Sequence, residues 1–372
     1  MKQNFTSWND SRHELKRILE KAEQRVPLSG SDMKWILDLS DPDKVQEVFQ
    51  TARKLREEYF GNRVFLYGFL YFSTFCRNVC DFCLYRKNNS AAIRYRKSPA
   101  QIIESSQRLS DSGAHLIDLT MGEDPEIFQA GDQGFERLLE MIRSVKQNTN
   151  LPIMISAGVL PDSVLGKLSE AGTIWYACYQ ETHNRALFQK LRTNQDYDVR
   201  INSKRIAKKR ELLIEEGLLV GVGETKVDIA DSIFAMHELR ADQVRVMSFV
   251  PQKGTPMEHF PVPNPSKELL IIALMRLAFP KCLIPASLDV GGHAQLCQKL
   301  EAGANVITSL IPPGQGLAGV AQCDLGIEDG KRTVASIQSI LRETGLEPAS
   351  DDEYHSWLNQ RLKIQLACFQ GK

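Results

Sequence analysis

The sequence predicts an α/β protein built as a (β/α)8 barrel of the TIM type, with a helical extension at its N-terminus. Between residues 63 and 345, eight short apolar runs alternate with amphipathic segments of helical period. Such alternation is typical of parallel strands with helices packed outside them. Eight strand–helix units fit a closed barrel. An open, six-stranded three-quarter barrel with unrelated flanks is the alternative architecture.

Residues 1–62 contain only helical patterns and form the predicted N-terminal helical segment. Asp10 and Ser11 can cap a first helix, Ser29-Gly30-Ser31-Asp32 forms a break and a new cap, and Asp41-Pro42 opens another helix. This segment is expected to pack on the barrel and carries no side chains with obvious chemistry.

The barrel segment, 63–345, contains the eight predicted units, and each strand is followed by its helix. The strands are expected at 64–72, 115–120, 152–156, 173–179, 218–223, 243–249, 283–288 and 304–310. The helices are expected at 99–112, 134–148, 161–171, 184–216, 226–240, 265–279, 293–302 and 330–343. Residues 346–372 are expected to form a C-terminal helical tail, with its helix at 352–366, packed on the barrel.

Composition restricts the class of protein. The chain has 372 residues, of which 42% are hydrophobic and 25% charged, with 46 basic and 46 acidic side chains. This neutral balance gives no reason to expect nucleic acid or a membrane surface as a partner. No signal peptide is apparent, and no apolar run approaches the ~20 residues of a membrane-spanning helix. Scattered cysteines in a chain of this length favour a reducing compartment, so we expect a cytoplasmic protein.

One short loop, Cys76-Arg77-Asn78-Val79-Cys80-Asp81-Phe82-Cys83, follows the first predicted strand. Thiolates are soft ligands that suit zinc and iron–sulfur clusters, and both normally take four ligands. No fourth cysteine follows nearby. Three interpretations remain open on spacing alone: a structural zinc-binding module, a redox-active pair of Cys80 and Cys83, and a [4Fe–4S] cluster with one open iron.

Polar residues at the strand ends provide an independent signal, because the chemistry of a barrel enzyme lies at the carboxyl ends of its strands. These strand ends carry Asp118, the loop Met121-Gly122-Glu123-Asp124, Ser156, Glu181, the loop 221–224, Arg245, Ser287, Asp289 and the loop 312–316. Singly, each has a structural explanation as a cap, turn or small core residue. Jointly, an arginine that can hold a carboxylate and aspartates that can hold ammonium groups predict a site for a zwitterion.

Two further features are interpreted as structural. The basic run 203–210 lies on a predicted helix and is interpreted as a solvated face, because it lacks the aromatic interleaving of a nucleic-acid site. The histidines show no metal-ligand spacing, and no residue is assigned as a catalytic acid or base.

The cysteine loop resembles the signature of the radical S-adenosylmethionine (SAM) superfamily, Cys-x3-Cys-x-Phe-Cys after the first strand of a barrel. The stretch FSTFCRNVCDFCLYRKNN (72–89) is similar to a subgroup that includes biotin synthase, a maturase of [FeFe]-hydrogenase and methylornithine synthase. YQETHNRALFQKLR (179–192) is similar to that maturase and to methylornithine synthase. SLDVGGHAQ (287–295) and GANVITSLIPPGQGLAGVAQ (303–322) look most like methylornithine synthase.

This resemblance implies cofactors and residue roles. Cys76, Cys80 and Cys83 would hold three irons of one [4Fe–4S] cluster, and SAM would chelate the open iron. By the same comparison Ser156, Glu181, Arg200 and Gly122 match positions that contact SAM, and Asp118, Arg245, Ser287 and Asp289 match positions that hold substrate. Four of the five other cysteines, Cys178, Cys282, Cys297 and Cys323, are interpreted as buried small residues, and no second cluster is expected.

The resemblance also implies an activity. A radical SAM isomerase of amino-acid biosynthesis would convert L-lysine to 3-methylornithine through a 5′-deoxyadenosyl radical, the first step of pyrrolysine biosynthesis. Its partners would be lysine and an electron donor such as a flavodoxin or ferredoxin. The alternative within the class is a hydrogenase maturase-like enzyme that acts on another small amino acid-derived substrate. The alternative outside it is the structural zinc-binding module.

Overall fold

A computed structural model describes residues 2–314 and 331–370, and side chains within 12–314 and 331–367. Of the positions used in the sequence interpretation, residues 315–322, Cys323 and position 330 lie outside the described residues.

The described chain forms helices α1 to α14 and strands β1 to β9. The strands are β1 (Arg63–Ser73), β2 (Leu116–Met121), β3 (Ile153–Ser156), β4 (Thr173–Ala177), β5 (Leu213–Val220), β6 (Gln243–Ser248), β7 (Pro285–Ser287), β8 (Val306–Leu310) and β9 (Glu347–Pro348). The N-terminal helices are α1 (Lys2–Glu23), α2 (Gly30–Leu37) and α3 (Pro42–Phe60). The later helices are α4 (Pro99–Asp111), α5 (Pro125–Phe128), α6 (Asp132–Thr149), α7 (Asp162–Leu168), α8 (Arg185–Leu191), α9 (Tyr197–Lys209), α10 (Lys226–Glu238), α11 (Pro265–Ala278), α12 (Gly292–Glu301), α13 (Val334–Glu343) and α14 (Asp351–Gln370).

Eight parallel strands form a nearly closed TIM-type barrel. They are hydrogen-bonded in the order β6-β5-β4-β3-β2-β1-β8-β7. At the remaining seam, Val244 N donates to Leu283 O at 3.0 Å and Leu283 N donates to Asp242 O at 3.1 Å. These bonds join β6 and β7 only at their amino ends. The predicted (β/α)8 fold is confirmed, and the six-stranded alternative is wrong.

The N-terminal helices pack on the outside of this barrel, where α2 lies against α10 and α11 and α3 lies against α11. Ser29 caps α2 through a capping box, and Asp41 caps α3 ahead of Pro42, as the sequence signals predict. The predicted cap at Asp10 and Ser11 is wrong, because α1 already begins at Lys2. The division at 62/63 and 345/346 stays a prediction.

Successive side chains of β1 point alternately into the barrel and towards its outer helices. Phe65 and Tyr67 pack in the interior at the amino ends of the strands, while Val64 and Leu66 pack with the outer helices. Helix α14 closes this end: the Tyr354 hydroxyl donates to the Tyr67 hydroxyl at 2.8 Å. The C-terminal tail therefore packs on the amino ends of the strands and leaves the carboxyl ends to the candidate site.

The fifth strand is displaced from its prediction. It was expected at 218–223, after helical material through 216, but β5 begins at Leu213 and α9 ends at Lys209. Glu215 and Glu216 obscure the beginning of this strand in the sequence, because two consecutive acidic residues are typical of a solvated helix. In the structure both are fully buried and ion-paired, to Arg245 and Lys204 respectively.

The basic run on α9 is therefore only partly solvated. Lys204 pairs with Glu216, and Lys208 Nζ lies 2.6 Å from Asp242 Oδ2, with both lysines buried. Arg205 and Lys209 are exposed, as predicted. Within the described part of the chain, no helix combines the length and apolar character needed to cross a membrane.

Candidate functional site

The cysteine loop lies at the carboxyl end of β1 and is tied back onto that strand. Lys97 N donates to Phe72 O at 2.8 Å, and a single antiparallel bridge pairs Ser73 with Arg96. The Arg94 guanidinium lies inside the loop and donates to the carbonyl oxygens of Tyr85 at 3.0 Å and Arg86 at 2.6 Å. One half-buried cation therefore organises a segment without regular secondary structure.

The three loop thiols lie within electrostatic reach of one another. Burial raises the pKa of the Cys83 thiol, and the neighbouring thiols of Cys80 and Cys76 raise it further. Burial also raises the pKa of Cys76. Since a metal ligand must be the thiolate, these groups need a strongly positive occupant to ionise there.

The sulfur atoms also accept hydrogen bonds, which stabilise the thiolate form. Asn78 N donates to Cys76 Sγ at 3.4 Å, and Gln195 Nε2 donates to Cys80 Sγ at 2.9 Å. Among the described residues, no three His, Cys, Asp or Glu side chains are arranged to hold one metal ion. A cubane differs from a single ion because each thiolate binds a different iron. Three soft donors around one loop fit such a cluster.

The loop after β2 approaches the cysteine loop closely at Gly122. Its N–H donates to Ser73 O at 3.0 Å, and a Cβ at this position would lie 2.3 Å from Phe75 O and 2.8 Å from Cys76 Cβ. Only glycine allows this approach. The next residue, Glu123, is buried, accepts from Val159 N at 3.0 Å and pairs with Arg77 at 2.8 Å. Its carboxylate therefore anchors the cysteine loop from the side of β2.

The predicted SAM-contacting residues surround the carboxyl ends of β3 and β4. Ser156 ends β3 beside Thr120 and is half-buried. Glu181 adopts a positive φ of 67°, which is unusual outside glycine, and forms an isolated bridge with Leu218 of β5. Arg200 of α9 is 5% exposed and donates from Nε to Tyr179 O at 2.7 Å.

The predicted substrate-holding residues on β2 and β6 face the barrel interior. Arg245 is 6% exposed, and its Nε lies 2.6 Å from Glu215 Oε1. The other oxygen of Glu215 accepts from the Tyr179 hydroxyl at 2.7 Å. Asp118 accepts from the Thr120 hydroxyl at 2.9 Å. Burial and then the negative charge of Glu215 raise the pKa of Asp118 to about 7, while Arg245 acts in the opposite direction.

Ser287 and Asp289 meet at the carboxyl end of β7. The Ser287 hydroxyl donates to Asp289 Oδ2 at 3.3 Å, and the Ser309 hydroxyl of β8 donates to the same oxygen at 2.6 Å. Arg332 Nη1 lies 2.8 Å from Asp289 Oδ1, and this arginine is 1% exposed. The Asp289 carboxylate is therefore already balanced by a cation of the chain itself.

The structure places Ser156, Ser287 and Asp289 at the carboxyl ends of their strands, Asp118 and Arg245 in the middle of β2 and β6, and Arg200 on α9. Their individual roles stay a prediction. Sequence reasoning missed four residues that hold them: Tyr179, Arg192, Glu215 and Arg332. Of these four, only Glu215 could have been recognised from the sequence, as a charged residue in an alternating, strand-like pattern just before the apolar run of β5. Of the remaining cysteines, Cys178 and Cys282 are buried as predicted, whereas Cys297 is half-buried.

An eight-stranded barrel with this cysteine loop at the end of β1 defines a protein of the radical SAM class. The model of the radical SAM superfamily matches residues 70–236. A 3-methylornithine synthase of Methanosarcina acetivorans is 43% identical over 345 residues, which cover 93% of this chain and 97% of that protein.

Two further similarities agree. The crystal structure of methylornithine synthase superposes with a TM-score of 0.87 at 40% identity, covering 91% of this chain and 99% of that one. The [FeFe]-hydrogenase maturase subunit HydE of Thermotoga maritima is 29% identical over 297 residues, covering 78% of this chain and 82% of that protein. The chain belongs to the 3-methylornithine synthase family of the radical SAM superfamily.

Proposed function

We propose that this chain is an isomerase that converts L-lysine to 3-methylornithine by radical SAM chemistry, the first step of pyrrolysine biosynthesis. The observation that carries the proposal is that two side chains of opposite charge, Arg245 on β6 and Asp118 on β2, are buried in the barrel interior. An interior guanidinium and an interior carboxylate suit a zwitterionic amino acid. The similarity to named 3-methylornithine synthases over nearly their full length supports the same substrate class.

In this proposal Cys76, Cys80 and Cys83 hold one [4Fe–4S] cluster. Ser156, Glu181, Arg200 and the backbone at Gly122 hold SAM; Gly122 supports this role because its missing side chain lets two loops meet. When bound, the cluster and SAM together supply a 5′-deoxyadenosyl radical that takes a hydrogen atom from the substrate.

Arg245 binds the substrate carboxylate through its outer nitrogens. Its Nε is occupied by Glu215, its Nη1 has a sulfur contact to Met247 at 3.8 Å, and its Nη2 has no protein acceptor among the described residues. Asp118 binds an ammonium group through the carboxylate oxygen that does not accept from Thr120. Ser287 and Asp289 complete the substrate site from the carboxyl end of β7, the strand next to β6 in the barrel.

The barrel retains the substrate during the reaction and excludes water from its amino end. Tyr354 and Trp357 of α14 close that end, where Trp357 stacks on Trp175 at 5.9 Å between ring centroids. Exclusion of water protects a carbon radical from side reactions.

The reaction also requires one electron from outside the chain, and we propose a flavodoxin or ferredoxin as its donor. The six cysteines whose side chains the structure describes are all free thiols. Free thiols suit the reducing conditions of the cytoplasm, which we propose as the location.

The test is an anaerobic incubation of reconstituted protein with SAM, dithionite and ¹³C-labelled lysine, followed by mass spectrometry and NMR. A branched isomer of lysine is expected. Cys83→Ala should lose the brown colour of the cluster and all SAM cleavage. Asp289→Asn should keep the cluster and SAM cleavage and lose the isomer.

Two outcomes contradict the proposal. If lysine is untouched while tyrosine or a thiol-containing amino acid is consumed, a maturase-like enzyme is the better assignment. If the protein purified without oxygen is colourless and contains stoichiometric zinc, the zinc-binding module is the better assignment.

A further inference from the structure

The sulfur of Cys80 differs from the other two loop sulfurs because it receives two side-chain hydrogen bonds from outside the loop. Gln195 Nε2 donates at 2.9 Å and Arg192 Nη1 at 3.6 Å. Cys76 receives a backbone donor, Asn78 N, and the donor that reaches Cys83 is the backbone of Tyr85.

Both donors come from the turn between α8 and α9, and this turn is fixed to the cysteine loop. Leu191 O accepts from Asp81 N at 2.8 Å, immediately beside Arg192. The backbone of Asn194 in the same turn has a φ of 63°, so the chain reverses there and returns Gln195 towards Cys80. The contact between the two segments is therefore built into the backbone.

Both terminal nitrogens of Arg192 have partners. Arg192 is 7% exposed, its Nη2 lies 2.7 Å from Glu181 Oε1 and 3.1 Å from Tyr179 O, and its guanidinium lies 5.2 Å from the centroid of the Phe82 ring. One cation thus touches a loop sulfur and the carboxylate that we propose to contact SAM.

Reduction of an iron–sulfur cluster adds negative charge that spreads onto its sulfur ligands. Hydrogen bonds to those sulfurs stabilise the reduced state and raise the reduction potential. The effect is larger when the donor is charged and buried, because a low local dielectric strengthens the interaction.

We propose that Arg192 and Gln195 are positioning residues that raise the reduction potential of the cluster through Cys80, and that Arg192 also couples Cys80 to the SAM site through Glu181. This inference rests on the proposed cluster at Cys76, Cys80 and Cys83. Neither side chain binds iron itself.

The test is an EPR-monitored redox titration of the reconstituted protein in the absence of SAM and lysine. Gln195→Leu removes one donor at nearly constant volume and should lower the midpoint potential. Arg192→Gln should lower it further, because a cation is lost. Arg192→Lys, which keeps the charge, should give a smaller shift and serves as the second variant if Arg192→Gln does not fold.

SAM binding provides a separate measurement, read as the change that SAM causes in the EPR spectrum of the reduced cluster. Binding should weaken in both Arg192 variants and less in Gln195→Leu, because Arg192 holds Glu181 by an ion pair at 2.7 Å, whereas Gln195 accepts from Arg200 Nη1 at the longer distance of 3.5 Å.

Arg185→Gln is the matched control. It removes one positive charge from the start of α8, where Arg185 is exposed and pairs with the exposed Asp198. Midpoint potentials equal to wild type in fully loaded Gln195→Leu and Arg192→Lys would overturn the inference, as would a shift in Arg185→Gln as large as in Arg192→Gln. Wild-type protein that assembles no cluster would overturn the proposed function and this inference with it.

Discussion

Glu215 binds Arg245 through the inner nitrogen of the guanidinium, with 2.6 Å between Oε1 and Nε. Both side chains are buried, and the remaining oxygen of Glu215 accepts from the Tyr179 hydroxyl at 2.7 Å. This arrangement orients the guanidinium and leaves its outer edge for a ligand. Glu215 is thus a positioning residue for the arginine that we propose to hold the substrate carboxylate.

Replacing Glu215 with Gln should impair substrate use. The arginine loses its counter-charge and its fixed orientation, and a misplaced binding group costs up to about 100-fold in rate. We expect a fall of that order in kcat/KM for lysine, with SAM cleavage in the absence of lysine unchanged. Tyr179→Phe is the matched control and should have a smaller effect, since it removes only the outer hydrogen bond. An unchanged kcat/KM in Glu215→Gln would contradict the positioning role.

The pH dependence of lysine binding should report Asp118. Burial and the charge of Glu215 raise its pKa to about 7, Asp289 adds to this effect and Arg245 opposes it. The carboxylate must be ionised to hold an ammonium group. The affinity for lysine should therefore increase as pH rises towards 7 and level off above it, with about a tenfold loss per pH unit below the pKa.

The measurement is KM for lysine between pH 6 and 8.5. The rate of SAM cleavage without lysine, measured over the same pH range, shows any effect of pH on the cluster itself. The Asp118→Asn variant should bind lysine weakly at every pH, and its KM should not change near pH 7. If its KM still changed near pH 7 by as much as that of the wild type, another group would be responsible for the pH dependence.

The sequence predicted the architecture well because the features that define it are local. Strand and helix periods, caps such as Ser29 and Asp41, and the spacing of Cys76, Cys80 and Cys83 can all be recognised within a few residues. A parallel barrel then brings the carboxyl ends of its strands together without further information.

The residues that support the site could not be predicted in this way, because their roles depend on contacts distant in sequence. Arg192 meets Cys80 across 112 positions, and Arg332 meets Asp289 across 43. The sequence pattern predicts helix up to 216, past Glu215, because a charge pattern alone does not distinguish a buried ion pair from exposed charges. An ion pair inside a barrel is recognised only when the strand register is known.

The pair of Asp289 and Arg332 should be tightly coupled in stability. Both are buried, and removing one partner of a buried ion pair typically costs about 3–5 kcal/mol, because the other charge loses its compensation. We expect Arg332→Met and Asp289→Asn each to lower the free energy of unfolding by an amount in that range. The double variant should be more stable than the sum of the two effects predicts.

The coupling energy is measured by chemical denaturation of the wild type, the two single variants and the double variant. The metal-free protein is used because it avoids any contribution from cofactors. Arg342→Met, a substitution of an exposed arginine on α13, is the control for loss of charge on the surface. Strict additivity of the two single changes would show that the pair contributes no coupling energy.

The glycine at position 122 should be essential for assembly of the cluster. A Cβ there would lie 2.3 Å from Phe75 O and 2.8 Å from Cys76 Cβ, so Gly122→Ala must displace backbone next to a loop cysteine. Such overpacking costs about 1–3 kcal/mol and moves Cys76. We expect iron and sulfide content after anaerobic reconstitution to fall well below wild type. Gly30→Ala is the matched control, because its nearest neighbour, Phe234 Cε2, lies at 3.6 Å and leaves room for a methyl group. Full iron content in Gly122→Ala would show that the two loops can separate without loss of the site.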